Sequence, residues 1–375
     1  MVSSRQLTFL LALTVCLAGI SCRRTQASAR MDSQALLQIA REYSTSYHAS
    51  QVVAAGPRVE GPKISSEILQ TEQEYESPIR QYFSQGNFDQ LERAASEARE
   101  GKGRVVGGVW KILAFYDAVD TTFIREHADE SDWKMYLDML KQWVAAKPES
   151  ATARISLAQA YVGYAWQARG GGYADTVTEA GWELYGERIA LAGARLAEAA
   201  RLKQKCPYWY EVMQNVALAQ GWDKSQAREL MEQAVASEPS YYHYYREYAY
   251  FLQPKWYGKK GEVEAFAEEI SDRVGGQEGE FLYFEIASLV ACQCDSEKTA
   301  LQNMTWPKIK RGYAALEQLY GVSNMKRNRF ASMAFKAEDK PAAREAFAKM
   351  GNDWEKKVWI SSEKFENAKT WATSE

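Results

Sequence analysis

The chain has 375 residues, of which 46% are hydrophobic and 25% charged, a balance that fits a globular protein and excludes a disordered one. Its net charge of −3 supplies no basic face, so nucleic acid is not an expected partner. With 12 Trp and 22 Tyr, the chain carries much aromatic surface for a core or for binding.

Residues 1–22 read as an export signal. Arg5 gives a positive start, and Leu7 to Ala18 form an apolar core too short to span a bilayer as a helix. Gly19-Ile20-Ser21-Cys22 follows and resembles the site at which a bacterial lipoprotein is cleaved and its new N-terminal Cys acylated, although Gly19 stands where such sites usually have Leu. Cys22 is therefore the expected lipidation site. Several acyl chains there would hold the protein stably on a membrane. The expected address is the bacterial cell envelope. Ordinary secretion is the alternative, with Ala27-Ser28-Ala29 as the cleavage site.

Residues 23–65 are polar and broken by Gly56-Pro57 and Gly61-Pro62, as expected of a tether or loose N-terminal extension, with a short helix predicted over Gln34 to Tyr47. Residues 66–375 read as one helical-repeat domain. Tyr75, Ile79, Tyr82 and Phe83 recur at helical spacing, Gly86-Asn87-Phe88 makes a turn, and Leu91, Ala94, Ala95 and Ala98 line the returning helix. Helices follow over Trp110 to Ala118 and Trp133 to Ala146, the latter with Asp132 as its predicted cap and Pro148 as its stop. Ala151 to Arg169 and Trp182 to Leu202 come next, separated by Gly170-Gly171-Gly172 and a loop in which Thr176 and Thr178 are candidate caps.

Pro207 to Pro239 has the clearest repeat character. In QARELMEQAVASEP, from Gln226 to Pro239, small Ala227 and Ala234 flank bulky Met231, and Pro239 closes the helix. This is the spacing of the second helix of a tetratricopeptide repeat. Further helices are predicted over Tyr241 to Leu252, Glu262 to Val274, Phe281 to Cys292 and Pro307 to Tyr320. A last pair covers Phe330 to Ala337 and Pro341 to Met350, with Asp339 as cap. Trp354, Trp359 and Trp371 predict a docked tail. The fold class is thus all-α, an irregular solenoid of antiparallel helix pairs resembling tetratricopeptide repeats. Such pairs bury their apolar faces only by stacking on neighbours.

The run GGGYADTVTEAGW from Gly170 to Trp182, then Glu187-Arg188, CPYWYEVM from Cys206 to Met213, and PKWYG from Pro254 to Gly258 together resemble a bacterial family of tetratricopeptide-like proteins. That family is known only as a domain of unknown function, and the resemblance covers roughly residues 65–360. It implies a helical repeat and carries over no activity, cofactor or catalytic residue.

The residues themselves suggest little chemistry. His48, His127 and His243 are far apart, and neither H-E-x-x-H nor paired C-x-x-C occurs, so no metal site is expected. The polar cluster Glu126, His127, Asp129, Glu130 and Asp132 reads as a solvated loop. The triple glycine lacks the Lys and hydroxyl residue of a phosphate-binding loop. Glu268-Glu269 reads as a solvated helix face. No catalytic residue and no cofactor are expected. Removing Cys16 and acylating Cys22 leaves Cys206, Cys292 and Cys294. Both three buried thiols and one disulfide involving Cys206 remain open.

The aromatic cluster is the candidate binding site. Tyr241, Tyr244, Tyr245 and Tyr248 share a helical face, and Trp256 and Tyr257 follow in a Pro-Gly loop. They serve either core packing between repeats or a groove for a peptide or glycan. The expected function is a non-enzymatic scaffold for an unidentified protein partner. The alternatives are a carbohydrate- or peptide-binding module and, third, a hydrolase with convergent carboxylates.

Overall fold

A computed structural model of the protein describes residues 33–50, 69–124, 128–293, 301 and 303–374. The export signal, Cys22, most of the tether, Arg125 to His127 and Cys294 lie outside the described residues. The side chain of Cys292 does too. All regular structure among the described residues is helical. The helices are α1 (33–50), α2 (Glu72–Ser84), α3 (Phe88–Gly101), α4 (Lys111–Phe123), α5 (Glu130–Ala146), α6 (Ala151–Arg169), α7 (Glu179–Ala200), α8 (Tyr208–Gln220) and α9 (Lys224–Ser237). They continue with α10 (His243–Phe251), α11 (Glu262–Val274), α12 (Gly276–Gln293), α13 (Trp306–Tyr320), α14 (Asn324–Lys336), α15 (Lys340–Met350), α16 (Lys356–Trp359) and α17 (Ser362–Thr373).

Local chemistry sets most of the boundaries. Thr71 caps α2 reciprocally with Glu74, and Thr178 accepts from Gly181 N–H to start α7. Asp339 caps α15 as expected. The cap of α5 is Asp129 and not Asp132. Asp132 sits three positions on and returns a hydrogen bond to the Asp129 backbone, completing a capping box. Gly221 ends α8 at φ +67°, a left-handed conformation in which a side chain would be strained.

Adjacent helices pack in pairs, and the even-numbered helices also pack on one another. α2 contacts α4, α4 contacts α6, and the row continues through α8, α10, α12 and α14 to α16. The odd-numbered helices lie outside this row, each against its even neighbours. Close approach depends on small residues. Ala227 and Ala234 are buried on α9, as their spacing predicted. At Gly312 on α13, an added Cβ would run into the Glu280 carbonyl of α12 and come within 2.8 Å of Phe284 Cβ.

The inner row curls back on itself. Gly107 N–H, in the loop before α4, donates to the carbonyl of Tyr320, the last residue of α13 (3.2 Å), and the Arg104 guanidinium stacks 4.8 Å from the Tyr320 ring. Residues near both ends of the row are thereby brought together.

The short helix predicted within the extension is present as α1. Helix α1 docks on the outside of α7, α8 and α9, with Leu36, Leu37, Ala40, Tyr43 and Tyr47 buried. Tyr43 stacks on Trp209 with ring centroids 4.2 Å apart. Its hydroxyl accepts from Cys206 N–H at 2.7 Å and donates to Cys206 O at 3.1 Å. Arg41 pairs with Glu229 at 2.6 Å. The predicted helix is present, but it belongs to the folded body, because its apolar face completes the core where Pro207 interrupts the ladder. At the other end, Trp359 is buried and hydrogen-bonded to Asn328 Oδ1 (2.8 Å), and α17 packs on α15.

Candidate functional site

The aromatic groove is not formed. Tyr241, Tyr244, Tyr245 and Tyr248 are all buried, so none offers a stacking face to a ligand. Their polar tips are used internally as well: Tyr241 Oη donates to Glu211 Oε2 (2.7 Å), and Tyr244 Oη donates to Pro207 O (3.3 Å). This short helix of the inner row buries those four tyrosines, whereas Tyr242 and Tyr250 on its other sides are half-buried. Trp256 and Tyr257 lie elsewhere, in a separate patch with Trp166, Trp182 and Arg169. In that patch Trp182 is 40% exposed and Tyr257 38%.

The inner row instead lines an open cavity of about 450 Å³. The lining comes from α2, α4, α8, α10, α12, α14 and α16, with Val109 from the loop before α4 and Ser323 from the loop before α14. Both ends of the row contribute: Glu72 from α2 and Lys357 from α16 face the same space. Four carboxylates line it, Glu72, Asp117, Glu211 and Glu247, and so do four cations, Arg246, Lys326, Arg329 and Lys357. His243 and Tyr250 complete the polar wall, beside apolar Val109, Leu113 and Leu289.

Burial and like charge act strongly on these groups. Asp117 is pushed well above the usual carboxylate range by burial, with Glu211 and Asp120 adding to it. Glu247 is pushed up to about 7 by burial and by Glu211, against the opposing pull of His243 and Arg246. Burial lowers Lys326 to about 8, although Glu285 opposes the shift. Lys326 Nζ reaches Glu285 Oε1 at 2.5 Å, and Arg246 lies 3.5 Å from Glu285 Oε2. Glu285 thus ties two cavity cations from behind and orients them.

His243, Glu211 and Glu247 form a tighter group within the wall. His243 and Glu247 are one helical turn apart on α10, and Glu211 comes from α8. His243 Nδ1 lies 3.3 Å from Glu211 Oε1 and 4.0 Å from Glu247 Oε1. In sequence His243 has no nearby histidine or cysteine; in the structure two carboxylates converge on it. The missed signal was His243-x-x-x-Glu247, a spacing that puts both side chains on one helix face. Nothing local indicated Glu211, which α8 supplies from 32 positions earlier.

Other expectations resolve simply. Among the described residues Cys206 is a free, buried thiol, pushed up by burial. Gly170 ends α6, and Arg169 Nη1 donates to the Gly170 and Gly172 carbonyls. Glu268 and Glu269 pair with Lys308 and Arg228. No helix among the described residues is long and apolar enough to cross a membrane.

These features define a class: an all-helical protein of stacked helix pairs whose inner row closes on a charge-lined cavity. Residues 76–207 match the family model described as "Domain of unknown function (DUF4034)". The match runs from α2 to the residue before α8. It includes Asp117 but stops four residues short of Glu211. No curated protein and no solved structure matches the chain.

Proposed function

We propose that the protein is a non-enzymatic binding module of the bacterial cell envelope, exported and anchored through Cys22, that holds a protein partner by a short charged segment inserted into the inner cavity. One observation carries this reading: charged side chains of both signs, from helices at both ends of the inner row, face a single space of about 450 Å³. That volume suits a few residues of peptide and is within the ordinary range of ligand pockets. A segment bearing an amine and a carboxylate would find partners on opposite walls, and the low-dielectric surroundings would strengthen each pairing.

The test is cross-linking in the native envelope with identification of the captured protein, followed by calorimetry with synthetic segments of that protein. Lys357 is exposed and Glu72 half-buried, so Lys357→Glu and Glu72→Lys should leave the fold intact. Each reversal should abolish capture and weaken segment binding at least tenfold. Capture that survives both reversals would remove the cavity from the function. Anchoring is tested by radiolabelled palmitate, whose incorporation should be lost in Cys22→Ser.

Two other readings each have one supporting observation. The half-exposed patch of Trp182, Trp256 and Tyr257 could stack on a sugar, and tryptophan fluorescence should then respond to added glycans. The converging carboxylates Asp117, Glu211 and Glu247 would suit a hydrolase in which Glu247 exchanges protons near neutrality. Turnover of glycoside or peptide substrates that disappears in Glu247→Gln would replace the binding reading.

A further inference from the structure

We propose that Glu211, His243 and Glu247 form a divalent-cation site in the wall of the inner cavity. This goes beyond the peptide-binding reading and does not depend on it. The ligand atoms of the three side chains all lie within 4.8 Å of one another. Tetrahedral coordination at roughly 2.0–2.2 Å places neighbouring ligand atoms about 3.3–3.5 Å apart. His243 Nδ1 and Glu211 Oε1 already stand at 3.3 Å. Only Glu247 must close, from 4.0 Å, which a rotation of its side chain accomplishes.

Two further observations favour a cation here over a plain polar cluster. First, His243 Nδ1 is shut off from solvent and makes no hydrogen bond, despite the nearby carboxylate oxygen. A buried ring nitrogen without a partner is costly, and a metal ion is the partner that this nitrogen and two converging carboxylates would share. Second, Tyr241 Oη holds the other oxygen of Glu211 at 2.7 Å, leaving Oε1 turned toward His243. This is the outer-shell orientation that fixes a ligating carboxylate.

One imidazole with two carboxylates suits a borderline ion such as Zn²⁺ or Mn²⁺ better than a soft one, since no thiolate takes part. Three protein ligands leave at least one position open to the cavity, where water or a carboxylate of a bound segment could enter. The site includes residues from two neighbouring inner helices, α8 and α10, so occupancy would also brace their contact.

The test is equilibrium dialysis of the purified, chelator-treated chain against Zn²⁺ and, separately, Mn²⁺, with bound metal measured by mass spectrometry. One equivalent of at least one ion per chain is expected. His243→Ala and the near-isosteric Glu247→Gln should each weaken uptake by about 100-fold, whereas the exposed His48→Ala should not change it. Circular dichroism verifies that each variant is folded. Glu247→Gln keeps the test decisive should His243→Ala fail to fold. No stoichiometric uptake of either ion by the folded wild-type chain would overturn the proposal. Equal uptake by wild type and Glu247→Gln would do so as well, by placing the ion elsewhere.

Discussion

Tyr43→Phe isolates the docking of α1 on the folded body. Tyr43 is 1% exposed and Cys206 0%. Removing the hydroxyl leaves the ring stacked on Trp209 and removes two hydrogen bonds to the Cys206 backbone. The carbonyl keeps a partner, because Trp209 N–H also donates to it at 3.2 Å. The Cys206 N–H keeps none among the described residues, and an orphaned buried donor costs about 1–3 kcal/mol. The expected loss is therefore about 2 kcal/mol for Tyr43→Phe, rising to about 4 kcal/mol or more for Tyr43→Ala, which also removes the buried ring. Urea unfolding followed by tryptophan fluorescence measures both losses. Tyr173→Phe is the control, since its side chain is 77% exposed and the change should stay within about 0.5 kcal/mol. A Tyr43→Phe protein within that same margin of wild type would refute the docking. Residues 33–50 would then form a helix that is not held on the folded body.

Further outcomes follow from the packing and the buried charges. Gly312→Ala gains about 1 kcal/mol of helix propensity but forces Cβ into the α12 backbone, which cannot rotate away; a net loss of about 1–2 kcal/mol is expected in urea. Ala234→Trp should overpack the α9 contact and cost about 1–3 kcal/mol, and an unchanged melting temperature would contradict the close helix approach there. Burial, helped by Glu72, raises the Glu76 carboxyl to about 7, despite Arg80 at 2.5 Å and the Lys357 charge. A carboxyl raised in the folded state contributes fully below its unfolded pKa, and that contribution is lost as pH rises toward about 7. Glu76→Gln should therefore gain on wild type between pH 4 and pH 8, by up to about 3 kcal/mol, and parallel stability curves would exclude the raised carboxyl. Cys206, buried and with its thiol pushed up, should resist iodoacetamide in the native protein and react in Tyr43→Ala, as peptide mass spectrometry can read.

Helix existence and type were legible in the sequence because they depend on local chemistry. The glycine at 221, the caps at Thr178 and Asp339, and the small-large-small pattern of Ala227, Met231 and Ala234 act within a few residues of themselves. Periodicity also showed that each helix has an apolar face, and hence that the helices must stack. It did not show how many faces of a given helix are covered. For α10 that number decides the meaning of four tyrosines: Tyr241, Tyr244, Tyr245 and Tyr248 are core, while Tyr242 and Tyr250 are half-buried. The polarity of residues 23–65 likewise averaged over a segment in which Leu36, Leu37, Ala40, Tyr43 and Tyr47 form one apolar stripe.

The candidate site belongs to the tertiary structure. Glu72 and Lys357 lie nearly 300 positions apart and share a cavity only because the inner row curls until its ends meet. Glu211 reaches His243 and Glu247 only because α8 and α10 are neighbours in that row. Composition and periodicity determined that this chain would be a stack of helix pairs, since each pair must bury an apolar face locally. The curvature of the stack sums small rotations over many interfaces, and that sum, which no single segment encodes, decided which charges face one another.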